Sequence, residues 1–237
     1  MSAPVIRAGQ RGRPQGGPPP LVPALAYGAL VIATAAVSAG RPRPGTSAAA
    51  TLSYAQAHTG LLHVAAVLTF GAAMPLAIWA ATIYRRLRTL GVTAPGAVIG
   101  LAGGILAAAS LALSGLFTWV AADTAADAGP ALARVVFDLG FAAGAAGFVV
   151  PSALLIAGVA VPALVLRLTP QWLAWAGLVI AAAGVLSTLT LLTSALDATL
   201  PIGRFGGLIW IIAISVLLPA TRHQLPARAG EPAPAAV

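Results

Sequence analysis

Cysteine and lysine are both missing from this 237-residue sequence. The absence of cysteine excludes disulfides, thiolate metal sites, iron–sulfur clusters and a cysteine nucleophile. Charge is scarce as well, because charged residues make up only 8% of the chain, against roughly 25% in soluble domains. Hydrophobic residues make up 59% of it, and the mean hydropathy is +0.94. This composition is typical of an integral membrane protein whose main partner is the lipid bilayer.

The formal net charge of +8 comes entirely from arginine. The arginines fall in short groups between apolar runs, where basic residues set the orientation of a membrane protein. A nucleic-acid-binding protein would instead gather its positive charge on one face. We therefore expect no nucleic-acid partner.

Apolar runs long enough to cross a bilayer, roughly 20 residues each, recur along the chain. They are continuous rather than alternating, which favours α-helices, since a helix satisfies its own backbone groups in lipid. The sequence therefore predicts an all-α polytopic transmembrane helix bundle of six helices. The predicted spans are residues 21–39, 59–83, 97–120, 134–161, 171–194 and 203–220.

The distribution of arginine predicts that both termini are cytoplasmic, because cytoplasmic segments carry the excess of basic residues. With that orientation nine arginines lie inside: Arg7, Arg11, Arg13, Arg85, Arg86, Arg88, Arg167, Arg222 and Arg228. Four lie outside: Arg41, Arg43, Arg134 and Arg204. Residues 1–20 and 221–237 are expected to be disordered cytoplasmic tails flanking a transmembrane domain at 21–220. Cleavage after A-V-S-A-G, which would make the first run a signal peptide, is the alternative for the start.

The fourth apolar region is longer than one crossing, because the stretch from Arg134 to Arg167 would extend about 50 Å as a helix. A tilt or a break is implied, and Pro151 and Pro162 are the expected positions for it. Small residues spaced by four predict close helix packing, either within the chain or against a second copy. These helix-packing residues are Gly96, Gly100, Gly104, Gly140 and Gly144.

Ionisable residues inside a membrane are costly and mark functional sites by default. In the predicted orientation they gather at the outer face, where we expect a ligand-binding set of Asp138, Arg134, Arg204, His63 and Trp119. One interpretation is an outward-facing pocket in which His63, Asp138 and Arg204 meet. The other is that these groups lie at headgroup depth, with Arg134 paired to Asp138 one turn later and Trp119 in an aromatic belt.

No cofactor, metal site or catalytic residue is predicted. Haem or zinc would need histidines on different helices at matching depth, whereas His58 and His63 share one helix. An intramembrane serine protease would need Ser114 beside a histidine of a neighbouring helix, and nothing in the sequence places them together. We therefore do not expect an enzyme.

Four segments between residues 58 and 220 carry a family resemblance. They are Y-R-R-L-R-T-L-G, G-F-V-V-P-S-A-L-L-I-A-G-V-A-V-P, P-Q-W-L-A-W-A-G-L-V-I-A-A-A-G-V-L-S-T-L and P-I-G-R-F-G-G-L-I-W. Their succession resembles a family of actinobacterial membrane proteins with six predicted helices and a domain of unknown function. The resemblance implies a location in the bacterial cytoplasmic membrane, and it transfers no activity or site residue.

Two functions follow as hypotheses. The protein binds or moves a small molecule, lipid or ion through the outer polar cluster, or it is a structural or accessory subunit. In the second case its glycine-rich helix faces would pack on another membrane protein or on a second copy of the chain.

Overall fold

The computed structural model describes residues 19–192 and 199–219, and the regular structure in those ranges is entirely helical. The helices are α1 (Leu21–Val37), α2 (Ala48–Ala57), α3 (Thr59–Thr89), α4 (Gly96–Asp123), α5 (Pro130–Gly144), α6 (Ala146–Val165), α7 (Gln171–Leu186), α8 (Thr199–Pro201) and α9 (Gly207–Leu217). A 3₁₀ turn, Ser187–Leu191, follows α7, and a π turn, Ile202–Gly206, joins α8 to α9. The predicted tail at 221–237 lies outside the described residues, and so does the tail at 1–20 except for residues 19 and 20.

Five helical segments in the described ranges are long and apolar enough to cross a membrane. They are Thr59–Thr89, Gly96–Asp123, Pro130–Val165, Gln171–Leu191 and Thr199–Leu217, with mean hydropathies of 1.8–2.4. Large apolar side chains such as Val67, Val165 and Val179 point outward and are exposed. A soluble monomer rarely exposes so much apolar surface. The chain is therefore a multi-pass membrane protein, and lipid is the solvent of its outward faces.

Helix α4 lies at the centre of the bundle and packs closely on α6. A Cβ added to Gly158 of α6 would lie 2.5 Å from the Cα of Gly100 and from the carbonyl oxygen of Gly96. Further along α4, Gly104 faces Ala80 of α3 and the side chain of Leu155. Since the side chains at these positions are hydrogen atoms, the helix backbones touch. Gly96, Gly100 and Gly104 therefore pack helices within the chain.

The fourth apolar region is broken at Ala145 and not at Pro151 or Pro162, which both lie inside α6. Ala145 has φ −93° and ψ −103°, well outside the helical region. A proline ring clashes with the carbonyl four residues before it, so Pro151 disturbs the turn that contains Gly147. Glycine is a poor helix former, and Gly144 adjoins the break on its other side. The prediction of a break is confirmed, and its predicted position is wrong, since the break lies six residues before the nearer proline.

The connection at residues 40–57, which hydropathy did not predict to be helical, contains α2. Ser47 caps this helix, since its side chain accepts a hydrogen bond from the backbone N–H of Ala50 at 3.3 Å. The last span also begins earlier than residue 203, at Thr199. Its first turns are irregular, and the π turn includes Arg204, one of the predicted ligand-binding residues.

Candidate functional site

A cavity of about 370 Å³ lies at the end of the bundle where α1 and α4 end and α3 and α5 begin. Its lining includes five charged side chains: Arg41, Arg43, Arg134, Asp138 and Arg204. They come from the α1–α2 connection, from α5 and from the π turn, which are far apart in sequence. The volume is within the range of small-molecule sites. The structure thus brings three of the five predicted ligand-binding residues to one cavity.

Arg134 and Asp138 form an ion pair along α5. The Nε atom of Arg134 donates to Oδ2 of Asp138 at 2.8 Å, the contact expected from their spacing of four residues. Arg134 also donates through Nη1 to the backbone carbonyl of Thr46, which attaches the α1–α2 connection to α5. Both side chains are about one-third to one-half exposed. The opposite charges of Arg134 and Asp138 therefore compensate each other in a partly exposed site. Arg134 also holds the α1–α2 connection, which lines the cavity, against α5.

Arg204 reaches from the π turn to the break between α5 and α6. Its Nη1 atom donates to the carbonyl oxygen of Gly144 at 3.0 Å, at the last residue of α5. A cation at a helix C-terminus interacts favourably with the helix dipole. The guanidinium carbon also lies 5.5 Å from the centroid of the Phe148 ring. A π turn inside a longer helix is frequently found at a functional site, and here it places the arginine at the cavity.

Arg41 and Arg43 are charged cavity residues that the sequence interpretation missed, and Arg41 is the less exposed of the two. Its Nη1 atom donates to the hydroxyl of Thr118 at 3.1 Å, and its guanidinium carbon lies 4.9 Å from the Phe137 ring centroid. Its Nη2 atom is buried and has no hydrogen-bond partner among the described residues. Burial lowers the pKa of the Arg41 guanidinium, although arginine stays protonated in proteins. The inward position of Arg41 could not be predicted from its local sequence, R-P-R-P, which follows α1.

Glycine makes room for the polar side chains around α5. A Cβ at Gly140 would lie 3.3 Å from Nη2 of Arg41, and one at Gly144 would lie 2.6 Å from the hydroxyl oxygen of Ser114. Ser114 donates that hydroxyl to the carbonyl of Gly140 at 2.7 Å. Gly140 and Gly144 were predicted to pack helices. They do adjoin α4, but they also admit the polar groups of the cavity.

The two remaining predicted ligand-binding residues do not line the cavity. The Nδ1–H group of His63 donates a hydrogen bond to the carbonyl oxygen of Thr59 at 3.0 Å, within its own helix. The side chain of Trp119 is 46% exposed, which fits a place at the membrane surface. The interpretation in which His63 meets Asp138 and Arg204 in one pocket does not fit this cavity, whose lining contains the last two residues but not His63. Ser114, already bonded to Gly140, also has no histidine beside it on the cavity lining.

Within residues 19–192 and 199–219, no three His, Asp or Glu side chains come together as metal ligands. Comparison of the chain with protein-family models, with curated proteins and with solved structures finds no match. The cavity and its charged lining are therefore the features of the structure that bear on function.

Proposed function

We propose that this protein binds a small polar molecule in the arginine-lined cavity, from the extracytoplasmic side of a bacterial cytoplasmic membrane. The observation that carries the proposal is the convergence of Arg41, Arg134 and Arg204, from three separate segments, on one cavity of about 370 Å³. Charges inside a membrane protein are costly, and those that occur are usually paired or mark a functional site. Neither Arg41 nor Arg204 has a carboxylate within 4.0 Å among the described residues.

Broken helices support the same proposal. The α5–α6 break and the π turn of the last span meet at the cavity through the Arg204–Gly144 hydrogen bond. Membrane proteins tolerate irregular backbone at membrane depth only where it is buried in protein or lines a wet cavity. Binding sites of membrane transporters are often built from such interrupted helices. The proposal is limited to binding.

The proposal includes six crossings and cytoplasmic termini. Helix α1 has 17 residues, which extend about 26 Å as a helix and nearly match the hydrocarbon thickness. With α1 as a crossing, Arg85, Arg86 and Arg88 lie on the cytoplasmic side, and the cavity lies on the opposite one. This arrangement follows the excess of arginine in cytoplasmic segments.

Single cysteines test the orientation against a clean background, since the native chain has none. We expect Ala126→Cys, in the exposed α4–α5 connection, to react with a membrane-impermeant maleimide in intact cells. Thr93→Cys, in the exposed α3–α4 connection, should react only after the inner membrane is permeabilised. The reverse pattern would place the cavity on the cytoplasmic side and overturn this part of the proposal.

Occupancy of the cavity is tested with Ser38→Cys, since Ser38 lines it. The rate of the maleimide reaction is measured in phosphatidylcholine nanodiscs with added glucose, choline, glycerol 1-phosphate or inorganic phosphate. It is also measured in nanodiscs that contain phosphatidylglycerol in addition to phosphatidylcholine. A probe present at ten times its Kd should slow the reaction about tenfold by mass action. Ala126→Cys, outside the cavity lining, should react at an unchanged rate. If no probe of any charge protects Ser38→Cys, the proposed function is wrong.

A further inference from the structure

We infer that the ligand of this cavity carries an oxyanion group, a phosphate or a carboxylate, which binds between Arg41 and Arg204. This inference rests on the proposed function and specifies the class of ligand. It follows from the charge of the lining, from the spacing of the two guanidinium groups and from the donors that they leave unused.

The lining has an excess of positive charge. Among its described residues there are four arginines and a single carboxylate, Asp138. That carboxylate is already bonded to Arg134 at 2.8 Å. The remaining cations of the interior, Arg41 and Arg204, therefore face the cavity without a described anionic partner. A cavity with uncompensated positive charge attracts an anion and disfavours a cation.

The spacing of the two arginines suits one oxyanion. Arg41 lies beside Gly140, and Arg204 bonds to the carbonyl oxygen of Gly144, so the two guanidinium groups contact α5 at positions one turn apart. Four residues rise about 6 Å along a helix axis. Two hydrogen bonds of about 2.9 Å that end on one oxygen atom span nearly the same distance. A phosphate or carboxylate between the two arginines can therefore accept from both.

Aromatic rings hold both guanidinium groups and leave N–H donors available. Arg41 lies over Phe137 and Arg204 over Phe148, and a ring attracts a cation without using its N–H groups. Each guanidinium has five donors in a fork that matches carboxylate and phosphate oxygens. Nη2 of Arg41 is buried, faces the Gly140 side of the cavity and is unpaired among the described residues. An oxyanion would satisfy this donor.

Two sources supply this chemistry: the headgroup phosphate of an anionic phospholipid and a soluble phosphate or carboxylate. The lining also includes Phe141 and Phe205, which are 44% and 41% exposed, so an apolar portion of a ligand would find contacts there. The experiment therefore compares both sources directly.

The test uses the full-length protein with Ser38→Cys in phosphatidylcholine nanodiscs. We expect inorganic phosphate, glycerol 1-phosphate or added phosphatidylglycerol to protect the cysteine, and choline and glucose to leave it reactive. Arg41→Gln should raise the anion concentration that halves the maleimide reaction rate about tenfold or more, because hydrogen bonds between charged groups are stronger than those between neutral groups. Arg41→Lys should restore part of the affinity. Arg167→Gln removes an exposed arginine outside the cavity lining and should change nothing.

A structural role for Arg41 predicts a different result. If its charge only stabilised the fold, Arg41→Gln would lower the thermal midpoint without ligand. We expect an equal or higher midpoint, since the substitution removes a buried charge that no described carboxylate neutralises.

The outcomes separate the two proposals. Protection by choline or glucose but by no anion would overturn the oxyanion inference and leave the proposed function standing. Protection by none of the probes would overturn both. Protection by phosphatidylglycerol alone identifies a lipid headgroup, and protection by phosphate or glycerol 1-phosphate identifies a soluble ligand.

Discussion

Gly158→Ala is expected to destabilise the protein by about 3 kcal/mol, the upper part of the range for overpacked sites. The added Cβ would lie 2.5 Å from Gly100 Cα and from the carbonyl oxygen of Gly96. Those neighbours are backbone atoms of α4, which cannot rotate out of the way as a side chain can. Helices α4 and α6 would have to separate along this contact and lose their van der Waals packing, the main attraction between helices in lipid.

The measurement is the unfolding midpoint in a mild detergent titrated with a denaturing one, followed by tryptophan fluorescence. Gly60→Ala is the matched control, because Gly60 also lies in a helix and has no atom within 4 Å of the position of an added Cβ. The control should be neutral or gain up to about 1 kcal/mol from the better helix propensity of alanine. Equal midpoints for the two variants would show that α4 and α6 are not in backbone contact.

Trp210→Ala should cost about 3 kcal/mol, the lower end of the range for removing a buried tryptophan. The indole is buried at 2% exposure and packs on Gly177, where an added Cβ would lie 2.6 Å from the ring. Its Nε1 donates to the carbonyl of Leu173 at 2.8 Å, which joins α9 to α7. The lower end applies because the ring stays in lipid when the helices of a membrane protein separate. The substitution therefore removes packing and the hydrogen bond, and it changes the free energy of hydrophobic transfer little.

The same unfolding titration, followed by circular dichroism because a fluorophore is removed, measures this effect. Trp172→Ala removes an indole that is 64% exposed, and it should shift the midpoint by less than about 0.5 kcal/mol. Trp210→Phe keeps most of the volume and loses the hydrogen bond, for an expected cost of about 1 kcal/mol. A Trp210→Ala midpoint equal to that of Trp172→Ala would contradict the position of α9 against α7.

Two kinds of property could be predicted from the sequence: those imposed by the lipid surroundings and those set by the spacing of residues along one helix. Lipid requires long continuous apolar helices, so the class of fold and the approximate limits of the five long segments followed from hydropathy alone. The Arg134–Asp138 contact followed from a spacing of four residues on one helix. The gathering of Arg134, Asp138 and Arg204 followed more indirectly, from assigning each to one end of the bundle.

Arg41 and the α5–α6 break could not be predicted in the same way. Arg41 is directed inward because the α1–α2 connection folds back onto α5, a tertiary arrangement fixed partly by the Arg134–Thr46 hydrogen bond. The break at Ala145 reflects the joint effect of Gly144, Gly147 and Pro151, whereas the sequence interpretation considered the prolines alone. Helix α2 did have a local signal, the capping serine Ser47, but hydropathy does not register it.

Backbone contact between α4 and α6 limits how the cavity can change shape. Since Gly96 and Gly100 leave no gap to Gly158, α4 and α6 cannot move closer together along this contact. The Arg204–Gly144 hydrogen bond attaches the last span to the end of α5, beside the break at Ala145. An oxyanion bound between Arg41 and Arg204 would therefore link the α1–α2 connection to the last span and to the end of α5, so binding should make this end of the bundle more rigid.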